Sequence, residues 1–208
     1  MTLGLGESAD APSSTRRGGD APVIVYTIGH STRTVAELVA LLKAHGVATL
    51  VDVRTVPRSR HTPQFNRETL PGELQATGIA YIHMGGLGGL RRPQPNSMNT
   101  GWRNASFRGY ADYMLTDKFE EHLNGLFSLA RERQTAIMCA EAVPWRCHRS
   151  MIADALVVRG VDVEHIMSLS RADAHEVTPW AHTDGIRITY PAPQDQPSLP
   201  DVPATSEQ

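Results

Sequence analysis

Short apolar runs rich in β-branched residues recur along this chain in alternation with segments of helical period, and that alternation limits the fold more than any other feature. The runs cover residues 22–28, 47–53, 79–83, 135–139 and 161–166, and in several of them apolar residues continue almost unbroken. Continuous apolar strands suit a parallel sheet covered on both faces. Between the first two runs, Thr34 and Glu37 are spaced as a capping box. They open an amphipathic stretch through Leu38, Val39, Leu41 and Leu42 that Gly46 closes. Further helical segments are expected near 70–77, 107–115, 118–133 and 148–159, the last ended by Gly160. The pattern predicts a single α/β domain with a mainly parallel sheet of about five strands and helices on both faces.

The domain is expected over residues 22–183. Residues 1–21 are rich in Gly, Ser, Ala, Asp and Arg without periodicity and read as a disordered N-terminal tail. Residues 184–208 carry five of the chain's prolines among polar side chains and read as a Pro-rich C-terminal tail, although Ile186 to Tyr190 alternates as an edge strand would. A net charge of −2 gives no overall pull toward nucleic acid or membrane, so any such attraction must be local. The two cysteines cannot build a disulfide framework. The first ten residues lack a basic segment and an apolar core, and no apolar run approaches the ~20 residues needed to span a bilayer. A cytoplasmic protein with reduced thiols is the expectation, with no membrane partner.

In a parallel sheet the loops after the carboxyl ends of the strands share one edge, where ligands bind. Three loops would meet there. The first carries His30 and Ser31, the second Asp52 and Arg54, and the third runs from Cys139 to Arg149. That third stretch concentrates both cysteines, Glu141, Arg146, His148 and Arg149 between an apolar strand and a helix. Cys147, just before the helix and flanked by Arg146, His148 and Arg149, meets the conditions that favour thiolate. It reads either as a reactive thiol or as an inert half-buried cysteine, and Cys139, at a strand end, leans toward the core. Glu141 and His30 are candidates for acid–base work, against an ion pair and a turn histidine respectively. Ser31, Asp52, Arg54, Arg146, His148 and Arg149 are candidates for holding substrate, although Asp52 and Arg54 could equally pair with each other.

Seven residues separate Cys139 from Cys147, which is not a zinc-knuckle spacing, and there is no second pair. Whether an open metal site exists stays undecided at this point, as does any cofactor. Six residues separate Cys139 from Arg146, one more than the cysteine-phosphatase anion loop has, and Glu141 within the loop would oppose a phosphate held by backbone N–H groups. Arg54, Arg58, Arg60, Arg67, Arg91, Arg92, Arg103 and Arg108 gather in segments whose only acids are Glu68 and Glu73, interleaved with Tyr81, Trp102 and Phe107. Such an edge suits an anionic small molecule, a nucleotide or single-stranded nucleic acid.

Taken in order, Thr27 to Ser31, Val51 to Arg54 with Pro57, Ser59, Pro63, Phe65 and Asn66, Leu87 to Gly89, Cys139 to Glu141, Cys147 to Arg149 and His165 with Ile166 resemble the motifs of the bacterial family of the domain of unknown function DUF488. The resemblance implies that His30, Ser31, Asp52, Arg54, Cys139, Glu141, Cys147, His148 and Arg149 are family motif positions. It implies no activity, because the family carries no settled biochemical role. The expected function is an enzyme acting on a phosphate-bearing or otherwise anionic small molecule, nucleotides included, with a nucleic-acid-binding accessory protein or a metal-binding or redox protein as alternatives.

Overall fold

A computed structural model describes residues 23–193; the expected N-terminal tail and the chain beyond residue 193 lie outside the described residues. Five strands run parallel: β1 (Ile24–Gly29), β2 (Thr49–Asp52), β3 (Ala80–His83), β4 (Thr135–Cys139) and β5 (Asp162–Ile166). A sixth, β6 (Ala172–Ala174), adds antiparallel to β5, and the order across the sheet is β3-β2-β4-β1-β5-β6. The short sixth strand carries no apolar run, which is why the sequence shows five.

Helices α1 (Val35–Ala44) and α2 (Leu70–Gln75) cover one face, and α3 (Ala105–Tyr113), α4 (Asp117–Glu132) and α5 (Arg149–Val157) cover the other. Successive residues of a strand point to opposite faces. Along β4, Ala136 and Met138 therefore join Leu38, Leu42 and Leu74, whereas Ile137 and Cys139 join Leu123, Met151 and Leu156. This double burial explains why the run from Thr135 to Cys139 is unbroken. The capping box of α1 forms: Thr34 accepts from the Glu37 N–H, and the Glu37 carboxylate accepts from the Thr34 N–H. Gly46, at φ +67°, reverses the chain behind it.

Residues 184–190 do not trail away. β7 (His182–Asp184) and β8 (Arg187–Thr189) form an antiparallel hairpin of their own instead of adding to the main sheet. Ile188 and Tyr190 behind it are buried in the α3–α5 core. The Tyr190 N–H donates to the Asn99 side chain at 2.8 Å, which ties this end of the chain to the long loop before α3. Among the described residues no helix is long and apolar enough to cross a membrane.

Candidate active site

Because β4 lies between β1 and β2, the loops leaving these three strands meet at the carboxyl edge of the sheet. The His30 N–H donates to the Cys139 carbonyl and the Ser31 N–H to the Ala140 carbonyl, both at 3.0 Å, fastening the first loop to the start of the third. Only a glycine permits this approach at position 29, where a Cβ would lie 1.9 Å from the Glu141 carbonyl oxygen. Ser31 sits at φ +50°, a left-handed conformation uncommon outside glycine. Its carbonyl receives the His30 Nδ1–H at 2.9 Å.

With Nδ1 donating, His30 Nε2 is the acceptor for Arg54 Nη1–H at 3.2 Å. Burial, and to a lesser extent the Arg54 charge, pushes the His30 pKa down to about 4, so the ring is neutral. It stacks on Phe65 at 4.2 Å. Arg54 also grips the buried Asp52 carboxylate, through Nε at 2.9 Å and Nη2 at 2.6 Å, and donates from Nη2 to the Phe65 carbonyl at 2.6 Å. The Tyr81 hydroxyl donates to Asp52 at 2.7 Å, and burial together with that carboxylate raises the phenol and keeps its proton on. All three guanidinium nitrogens of Arg54 are thus engaged within the protein. His30, Asp52, Arg54, Phe65 and Tyr81 form a buried scaffold behind the cysteine loop.

In front of it lie the thiols. Cys139 at the end of β4 and Cys147 just ahead of α5 are free cysteines, both buried, with their sulfurs 2.7 Å apart. The first turn of α5 aims Arg149 inward, where Nε donates to Cys139 Sγ at 3.0 Å, Nη1 to Thr27 Oγ1 at 3.0 Å and Nη2 to the Glu141 carbonyl at 2.6 Å. His148 Nε2–H donates to the Val53 carbonyl at 3.2 Å, which leaves Nδ1 facing Cys147 Sγ at 3.5 Å. The hydrogen bond from Cys139 holds the Cys147 thiol well below the ordinary thiol range, and His148 and Arg149 act in the same direction. Cys139 is held above that range by the same shared proton and by burial. The sulfur that Arg149 touches is that of Cys139, so its charge acts on Cys147 across the sulfur pair. The two shifts are opposed and favour loss of the proton from Cys147 over Cys139.

Six of the residues singled out from sequence line one cavity of about 430 Å³: Arg54, Cys139, Glu141, Arg146, Cys147 and His148. His30, Ser31, Asp52 and Arg149 stand outside its lining. Glu141 and Arg146 are exposed at its mouth, and among the described residues the Arg146 guanidinium meets no hydrogen-bond partner. Thr55 and Leu90 from loops, with Asn104 and Ser106 at the start of α3, add to the walls, and no sequence signal marked them. Phe107 lines the cavity too, whereas Tyr81 belongs to the scaffold. Gly89 allows the His148 ring to sit where it does, since a Cβ there would lie 2.6 Å from Nδ1. Among the described residues no group of three or more His, Cys, Asp or Glu side chains is arranged to hold a metal ion.

The fold and the site define an α/β protein with a buried dithiol at the carboxyl edge of its parallel sheet. Residues 34–156 match the family model described as domain of unknown function DUF488, and the chain belongs to that family. The match spans the second and third site loops; His30, Ser31 and His165 fall outside it. Comparison with curated proteins and with solved structures returned no match.

Proposed function

We propose that the protein is a cysteine-dependent thiol–disulfide enzyme acting on a small anionic substrate. One observation carries the reading: two free thiols 2.7 Å apart, with a buried guanidinium on one and an imidazole nitrogen on the other. The Cys147 thiolate attacks one sulfur of a substrate disulfide, forming a mixed disulfide and expelling the other half as a thiolate that takes up a proton. Cys139 then gives up its proton, attacks Cys147 Sγ and displaces the bound half, leaving a Cys139–Cys147 disulfide and a substrate reduced by two electrons. An external dithiol returns those electrons. Arg146 at the mouth favours an anionic substrate.

A phosphate ester or nucleotide would find the same Arg146 at the mouth but would use the thiol pair only as nucleophile. A nucleic-acid interface draws on fewer arginines than the sequence offers. Arg54 turns inward, and Arg91 donates to the Gly86 and Gly88 carbonyls and lies 3.7 Å over the Tyr113 ring.

An anionic aromatic disulfide with a coloured thiolate product tests the proposal, because the chain has no other cysteines. The wild-type protein is expected to release both halves of the reagent rapidly at pH 7. Cys139→Ser should release one half and stall as a mixed disulfide, and Cys147→Ser should react at least ~100-fold more slowly. Release from Cys147→Ser at the wild-type rate, or wild-type reaction only after unfolding, overturns it.

A further inference from the structure

Arg149 is 1% exposed, and among the described residues no carboxylate touches it. Asp154, further along the same helix, is 0% exposed and is met by no arginine or lysine among the described residues. Each is a buried charge without a direct partner of opposite sign, a costly arrangement unless something joins them.

Three side chains do. Asp154 accepts from Thr178 N–H at 2.9 Å, Thr178 hydroxyl at 2.7 Å, Tyr190 hydroxyl at 2.7 Å and His175 Nε2–H at 2.8 Å. A carboxylate that accepts from four donors is ionised. His175 Nε2 therefore carries a hydrogen, and its Nδ1 accepts from His165 Nε2–H at 3.0 Å. His165 Nδ1 in turn accepts the Thr27 hydroxyl at 2.8 Å, and Thr27 Oγ1 accepts Arg149 Nη1–H at 3.0 Å. When each imidazole carries one hydrogen, this is the one placement that satisfies every link. Burial first, then the neighbouring His175 and the Arg149 charge, pushes the His165 pKa down to about 4, so this ring is neutral at pH 7. All the hydrogen bonds point the same way, from guanidinium to carboxylate.

The geometry points to Thr27, His165, His175 and Asp154 as positioning residues for the thiol chemistry, which lock the Arg149 guanidinium against Cys139 through a directed chain of hydrogen bonds. The inference rests on the thiol–disulfide reading above. Arginine does not release its proton, so the chain conducts none. It acts by orientation, holding Nε on Cys139 Sγ so that the Cys139 proton stays turned toward Cys147. Thr27 is the first link, and among the described residues its hydroxyl is the group that reaches both Arg149 and His165.

The test uses the full chain and the rate of Cys147 alkylation by iodoacetamide as a function of pH, read by mass spectrometry. Thr27→Val keeps the shape of the side chain and removes the hydroxyl, whereas Thr27→Ser keeps the hydroxyl. Thr27→Val, His165→Gln and His175→Gln cut the chain at three separate links, so misfolding of one leaves two to be read, and only variants with the wild-type far-ultraviolet spectrum count. Each cut is expected to raise the midpoint of the profile by about one pH unit, which slows alkylation about tenfold at pH values below the wild-type midpoint. Thr27→Ser should stay within about twofold of wild type. A wild-type midpoint well below the ordinary thiol range, with superimposable profiles for the folded cut variants, overturns the relay and leaves the thiol reading standing. A wild-type midpoint in the ordinary range removes the thiol reading, and the relay with it.

Discussion

His148 depends on a neighbour that has no side chain. Its Nδ1 faces the Cys147 sulfur only because residue 89 is glycine; a Cβ there would lie 2.6 Å from that nitrogen. Gly89→Ala is therefore expected to turn the imidazole away while sparing the fold, since the obstructed atom is the end of a movable side chain. Cys147 alkylation at pH 7 should slow by roughly tenfold or more, with a melting temperature close to wild type. An unchanged rate would show that His148 has no part in setting the thiol. Arg54 illustrates the opposite case, a charged side chain that looks available in the sequence and is not. Asp52, His30 and the Phe65 carbonyl occupy its nitrogens, so an anion could take it only by breaking a buried pair.

At the scale of elements, each strand–loop unit brings one part of the site and each helix supports it from a distance. α1 packs Leu38 and Leu42 on the face of the sheet away from the thiols, so its contribution is to stability alone. Thr34→Ala removes the acceptor for the Glu37 N–H and half of the capping box; it should cost about 1 kcal/mol in urea unfolding and leave the alkylation rate of Cys147 unchanged. A loss of thiol reactivity in that variant would contradict the separation of the two faces. These elements were largely legible from sequence, because the signals for α1, β2 and β4 are local: a cap, a closing glycine, an apolar run. β6 and β7 were not, because each is three residues long and is fixed by a partner instead of a pattern. The alternation over 186–190 showed β8 but not that it pairs with β7 in a hairpin instead of joining the main sheet. The expected C-terminal tail begins in that hairpin for the same reason, since the burial of Tyr190 depends on Asp154 and Asn99 elsewhere in the chain.

Taken whole, the molecule is stitched together by buried imidazoles held neutral, and this makes its stability depend on pH. His30 and His165 both have pKa values pushed from 6.5 down to about 4, chiefly by burial. Between pH 6.5 and 4 the unfolded chain binds protons that the folded chain does not, so their contribution is complete above 6.5 and is lost as pH falls through that window. The loss is at most about 1.4 kcal/mol per pH unit for each histidine, reduced by whatever solvent screens. Melting temperatures should fall steadily from pH 7 to pH 5; a flat profile would show that these rings are not held neutral. The sequence by itself determined the parallel α/β fold, the edge at which the loops converge and the cysteine stretch as its centre, because periodicity, caps and strand polarity are local properties that survive without knowledge of partners. Only the tertiary structure decided which charges serve the site and which serve the scaffold. Asp154, one acid in the buried helical run from Met151 to Leu156, and His175, beyond the last strong strand signal, are joined to Arg149 and Cys139 by contacts between residues far apart in the chain. The direction of each hydrogen bond in that chain follows from which donors and acceptors folding brings within reach.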